Sequence, residues 1–209
     1  MTEVRADHPA ALETLAPADG SEIAATADVT ARLVPTPSQT AGPFLSIGTE
    51  WLADECTVPP RASGAITVMG RVFDGAGMPV TDAVLEFWQA DATGRYPPGT
   101  EVGWTGFTRA FTDGAGGYHL RTLRPGRVPA GDGSSQAPHI NVSIFARGLL
   151  QRLVTRIYFS DEEAANARDP VLASLSEPAA STLIARSGPE SYHLDIRLQG
   201  DEETVFFVP

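Results

Sequence analysis

His139 and Asn141 flank a single residue in the run His139-Ile140-Asn141. Side chains two apart on a strand share a face, so a His-x-His pair would present two imidazoles side by side, as a metal site needs. Here the second position carries an amide and cannot supply an imidazole. Read as a strand, residues 140–146 turn Ile140, Val142, Ile144 and Ala146 toward a core. His139, Asn141, Ser143, Phe145 and Arg147 then share the opposite face. A mostly polar face of this kind fits a cavity, a subunit contact or a solvent-exposed sheet surface.

The other residues able to do chemistry are few. Tyr118, Tyr158 and Tyr192 fall within strand patterns and read as packing residues; Tyr96 closes a Gly-Arg-Tyr run and reads as structural. His119 and His193 each precede a leucine within a strand, which fits exposed or hydrogen-bonded side chains. No lysine occurs among the 209 residues, which excludes Schiff-base chemistry and a P-loop lysine. The single cysteine, Cys56, allows no internal disulfide and has no CxxC neighbour, in keeping with a reducing, cytoplasmic setting. A net charge of −11 argues against nucleic acid and against an anionic membrane as partners. No apolar run reaches the length of a membrane span or follows a cationic start as in a signal peptide.

The elements that must position these residues are short. Residues 1–34 are rich in Ala, Thr, Asp and Glu and contain no aromatic; they read as a mobile acidic tail with a transient helix near 10–15. The domain is expected over 35–209. It opens with an extended loop at 36–44, followed by strands at 66–73, 84–89, 118–122, 140–146, 153–159, 192–198 and 204–207. Asp-Gly turns at 74–77 and 113–117 separate some of them. A Ser-Asp-Glu-Glu capping box at 160–163 predicts a helix ending before Pro170, and Ser176 with Pro178 a second one reaching Arg186. The sum is a mainly β fold, an antiparallel β-sandwich with short peripheral helices.

Several separated motifs carry a family resemblance: GRVFDGAGMPV at 70–80, AVLEFWQADATGRY at 83–96, TDGAGGYHLRTLRPG at 112–126 and APHIN at 137–141. TPSQTAGP at 36–43 and GDEETVFF at 200–207 add to it. Together they resemble the intradiol ring-cleavage dioxygenases over essentially everything from Pro35 onward. Iron-binding members hold Fe(III) with two tyrosinates and two histidines, hard anionic donors suited to a ferric Lewis acid. Carried over position by position, His139 matches the first histidine and Asn141 stands at the second. Val128, in Gly126-Arg-Val-Pro129, stands at one tyrosine; the other would fall within 97–110, which contains none. Gln136 takes the place of an arginine near the iron. The resemblance therefore implies a chain that binds no metal itself and is inactive alone.

The match is strongest to the alpha chains of the family's two-chain members, and this implies a partner. There an iron-bearing beta subunit joins in a large hetero-oligomer, with Fe(III) held by beta and protocatechuate bound at a shared pocket. Ring cleavage by O₂ then yields 3-carboxy-cis,cis-muconate. The alpha chain contributes a loop, matched here by Thr40, Gly42 and Pro43, and an arginine, matched by Arg147. Glycine permits a close backbone approach and proline stiffens it, while Arg147 suits a substrate carboxylate. Taken locally, the loop is only a turn and Arg147 only half of a surface ion pair. Phe44 stands where a tyrosine is common. Two other readings remain: a stand-alone β-sandwich that binds a small molecule or acts as an interaction module, and a self-sufficient dioxygenase with unusual ligands.

Overall fold

Asp74 and Asp113 each open an Asp-Gly-Ala-Gly turn by folding a carboxylate back onto their own backbone. Asp74 Oδ1 accepts from the amides of Ala76 and Met78 at 2.9 and 2.8 Å, and Asp113 Oδ1 from those of Ala115 and Gly117, both at 2.8 Å. These are Asx turns, and they fix where the adjoining strands begin and end. In the computed structural model, residues 39–42, 44–49, 58, 64–97, 105–130, 133–189 and 191–208 are described. The N-terminal stretch, Pro43 and Cys56 lie outside them.

The described elements begin with a short helix, α1 (Leu45–Thr49), then β1 (Ala65–Phe73), β2 (Val84–Gln89), β3 (Phe107–Phe111), β4 (Gly117–Leu123), β5 (Val128–Pro129) and β6 (Ser135–Gln136). There follow β7 (His139–Phe145), β8 (Leu153–Phe159), α2 (Glu163–Asn166), α3 (Pro170–Ala173), α4 (Glu177–Ser181), β9 (Ile184–Ser187), β10 (Ser191–His193) and β11 (Ile196–Arg197). The ladder runs β11-β1-β10-β9-β8-β7-β2-β3, with β4 also on β1 and β5-β6 apart as a hairpin. The long pairings, β1–β4, β2–β3, β2–β7 and β7–β8, are antiparallel. Three short ones, β1–β10, β1–β11 and β8–β9, run parallel. The sandwich is thus mainly β, with short helices at its edge. Among the described residues no helix is long and apolar enough to cross a membrane.

The main core takes alternate residues from both halves, among them Val68, Val72, Leu85, Phe87, Ile140, Val142, Ile144 and Ile157, each at most 1% exposed. A second cluster, Ala137, Tyr158, Ala165, Leu172 and Leu183, packs under the helices. The predicted strand at 192–198 is broken in two. At the break the Leu194 carbonyl crosses over Gly70, where a Cβ would lie 1.7 Å from it, and accepts the Tyr118 hydroxyl at 2.7 Å. Only glycine leaves room for that crossing.

Other departures have local causes. The predicted capping box does not form: Ser160 Oγ accepts instead from the Ser187 amide at 2.9 Å, and α2 starts at Glu163 with no side-chain cap. The second predicted helix stops at Ser181, because Ile184 pairs with Tyr158 and Ala185 with Phe159, which draws 184–187 into the sheet. Residues 204–207 make one bridge, Phe207 to Val154, rather than a strand. Side chains hold this stretch instead, with Thr155 Oγ1 donating to the Val205 carbonyl at 2.7 Å.

Candidate functional site

Strand β7 delivers the alternation its sequence suggests from Ile140 onward: Ile140, Val142 and Ile144 are buried, while Asn141, Ser143 and Phe145 are half-buried on the opposite face. His139, at the start of the strand, is 1% exposed. Its neighbours on that second face follow from register. Asn141 lies opposite Trp88 on β2 and Arg156 on β8. Across the small hairpin, Val128 lies opposite Gln136.

These positions are joined by a directed hydrogen-bond network centred on Arg156. Its Nε donates to Asn141 Oδ1 at 3.1 Å, and one terminal nitrogen donates to Gln136 Oε1 at 3.1 Å and to the Tyr158 hydroxyl at 3.2 Å. From Asn141 the chain continues: Nδ2 donates to the Tyr96 hydroxyl at 2.9 Å, and that hydroxyl lies 3.4 Å from His139 Nε2. His139 Nδ1 lies 2.8 Å from the Ala137 carbonyl, an acceptor only, so Nδ1 carries the hydrogen and Nε2 receives the one from Tyr96. On the other branch Tyr158 donates to Asp169 Oδ1 at 3.2 Å, and the Ala137 amide donates to Asp169 Oδ2 at 2.7 Å. Both branches end on the backbone of Ala137.

Local structure holds the ring in place. Tyr96 is presented by the turn 91–95, in which Asp91 Oδ1 accepts from the Thr93 amide and hydroxyl, both 2.7 Å, and from the Arg95 amide at 3.0 Å. The bond from the Arg95 amide, the largest influence, holds the Asp91 carboxyl below the usual range. Gly94 sits at φ +82° with its α-carbon against the Arg127 carbonyl, so the turn docks on the segment leading to Val128. The Tyr96 ring stacks on Trp88, centroids 5.7 Å apart. Asp169 caps α3, accepting from the Val171 and Leu172 amides at 2.9 and 3.0 Å. The guanidinium itself lies under the Phe207 ring, 5.8 Å from its centroid.

Electrostatics follow the geometry. Burial, helped by the Arg156 charge, pushes the His139 imidazole down to about 4, so it stays neutral near pH 7. Burial likewise pushes the Tyr158 phenol up to about 12, against the pull of Arg156.

The second group of predicted residues occupies another corner. Thr40 Oγ1 donates to the Leu149 carbonyl at 2.7 Å, which ties the loop to the turn after β7. Gly42, Asp82 and Arg147 line one small niche there. Arg147 is 73% exposed and pairs with Asp82 at 3.2 Å. Phe44 is exposed on the same loop. Val128, Gln136, His139 and Asn141 are thus brought together, while Thr40, Gly42 and Arg147 form a separate surface.

Sequence reasoning did not find Arg156 or Asp169, and it read Tyr96 and Tyr158 as structural only. The one available signal was a lone charge in the strand LVTRIYF, at a position that alternation turns away from the core.

The family model described as Dioxygenase matches residues 59–200, about two thirds of the chain. The chain belongs to the intradiol dioxygenase family. It is 40% identical over 193 residues to the protocatechuate 3,4-dioxygenase alpha chain of Burkholderia cepacia, covering 82% of this chain and 96% of that one. To the alpha chain of Pseudomonas putida it is 43% identical over 191 residues, covering 82% and 95%. The beta chain of Burkholderia cepacia is 33% identical over 156 residues, covering 66% of each.

This dioxygenase family generally depends on non-haem iron. The donor set around Asn141 does not fit that ion. It offers two amides, a valine, one imidazole whose free nitrogen already accepts from Tyr96, and two phenols committed within the chain, Tyr96 to Asn141 and His139, and Tyr158 to Arg156 and Asp169. It also holds a guanidinium, and a cation about 4 Å from another repels it by about 4 kcal/mol per pair of unit charges at an effective dielectric constant of 20.

Proposed function

We propose that this chain is the alpha subunit of a protocatechuate 3,4-dioxygenase. The iron-bearing beta subunit would carry the chemistry, with Fe(III) and 3,4-dihydroxybenzoate at a pocket shared by the two chains. The observation that carries the reading is the match to alpha chains along 95–96% of their length, closer than the match to a beta chain. When bound to beta, ferric iron would supply Lewis-acid activation of the catechol for cleavage by O₂ between its two hydroxyl-bearing carbons. This chain's residues would do the rest at the shared wall. Gly42, with Thr40 anchored to Leu149, would shape the pocket, and Arg147 would turn positive charge toward the substrate carboxylate. Exposed Phe44, Ile47 and Leu150, near the same loop and turn, supply apolar area for the contact between chains.

Co-expression with a beta chain that keeps both tyrosines and both histidines tests this. The expected product is a soluble hetero-oligomer with about one iron per pair and ring-cleaving activity on protocatechuate, while this chain alone takes up none. Iron bound stoichiometrically by this chain alone, or no association with beta, would refute it.

A further inference from the structure

We propose that Arg156 is a built-in cation standing in the place of the metal, and that its charge, beyond the loss of ligating side chains, closes this position to metal ions. Two of the positions matched to the metal site, Asn141 and Gln136, each accept one of its hydrogen bonds at 3.1 Å. A third matched position, His139, has its remaining nitrogen committed through Tyr96 and Asn141 to the same guanidinium. The cation is compensated by Asp169 through Tyr158, and Phe207 covers it. Asn141 Oδ1, Gln136 Oε1 and His139 Nε2 thus each accept a hydrogen bond from within the chain itself.

The arrangement has a consequence that loss of ligands alone would not have. If the position were closed only for want of imidazole, then Asn141→His would restore a His-x-His pair on one strand face, a good site for Co(II) or Zn(II). With Arg156 present, the new imidazole meets a guanidinium donor opposite it on β8, and a divalent ion meets a fixed positive charge. Restoring position 141 is then not enough: position 156 also decides whether metal can enter. This holds whichever substrate the complex cleaves, so failure of the subunit reading leaves it standing, and the reverse.

The test uses Co(II) as probe on full-length chain, purified with whatever subunit accompanies it. N141H, N141H/R156K and N141H/R156Q are compared with the unsubstituted protein by bound-metal analysis and visible absorption. Glutamine keeps hydrogen-bonding capacity without charge, and lysine keeps the charge. N141H/R156Q is expected to gain about one equivalent of cobalt with ligand-field bands, while N141H and N141H/R156K gain none. Equal uptake by N141H and N141H/R156Q overturns the proposal, as does uptake by none of the three. A second arm does not depend on a new ligand: in R156A, millimolar methylguanidinium should raise the melting temperature by several degrees and leave that of the unsubstituted protein unmoved. No rise in R156A also overturns it.

Discussion

Tyr158 and Asp169 meet at 3.2 Å, and that bond ties strand β8 to the first turn of α3. Asp169 is fully buried and accepts from three backbone amides besides the phenol. It is at once the cap of a helix, the anchor of Ala137 and the acid that balances Arg156. Removing it strands all of those donors. Asp169→Ala should destabilise the protein by about 3–5 kcal/mol, the range for breaking a buried charged partner, and Tyr158→Phe by about 1 kcal/mol. Urea unfolding checks both. A loss under 1 kcal/mol for Asp169→Ala would mean that the network contributes no stability.

His139 makes a pH prediction with a definite sign. The folded state keeps its imidazole neutral down to about 4, whereas the unfolded chain protonates near the ordinary value of 6.5. Between those values the unfolded state binds more protons, so stability is full above 6.5 and falls as pH drops toward 4. Over the whole window the loss approaches about 3 kcal/mol. His139→Gln should flatten that part of the stability profile. A profile of unchanged slope in the variant would assign the acid sensitivity to other groups.

Much of this was legible in the chain. Strands β2 and β8 have the predicted ends, and β7 is shifted by one residue. Strict alternation marks a half-buried strand, and Asp-Gly turns mark its ends. What was not legible is long-range. Arg156 looks like any surface arginine until β8 is laid beside β7 and Asn141 lies opposite it. The stretch 184–187 follows a helix start and carries no turn signal; pairing with Tyr158 and Phe159 on one side and with Tyr192 and His193 on the other makes it a strand. β3 was missed altogether, because FTRAF gains its meaning from Glu86, whose carboxylate accepts two bonds from Arg109 at 2.6 and 2.8 Å.

Arg147 separates two roles cleanly. Its pair with Asp82 is exposed, so Arg147→Ala should change the stability of the protein by no more than about 0.5 kcal/mol. If its charge faces a substrate carboxylate in the assembled complex, the same variant should weaken kcat/KM for protocatechuate by about 1–3 kcal/mol more than for unsubstituted catechol. Equal losses on the two substrates would place Arg147 in assembly rather than recognition. Iron content should not change, since Arg147 is no metal donor.

Gly42 asks the same question sterically. Among the described residues a Cβ placed there meets no atom within 4 Å beyond its chain neighbours, and the residue is exposed. Gly42→Leu should therefore leave the chain's own packing intact, and any effect must come from what lies opposite in the complex. If that is the wall of the partner's pocket, kcat/KM on protocatechuate should fall by about tenfold, equivalent to about 1.4 kcal/mol, while iron content and subunit stoichiometry stay as they were. Thr40→Val supplies the contrast. It removes the 2.7 Å bond to the Leu149 carbonyl without adding bulk, so it loosens the loop instead of filling the pocket. Loosening should raise KM with a smaller loss in kcat, because a mobile wall binds substrate less well yet still allows the reactive pose. Steady-state kinetics on both variants, with iron measured in the same preparations, give the answer. Wild-type kinetics in both would remove this loop from the active site, and dissociation of the complex in either would make it an assembly element.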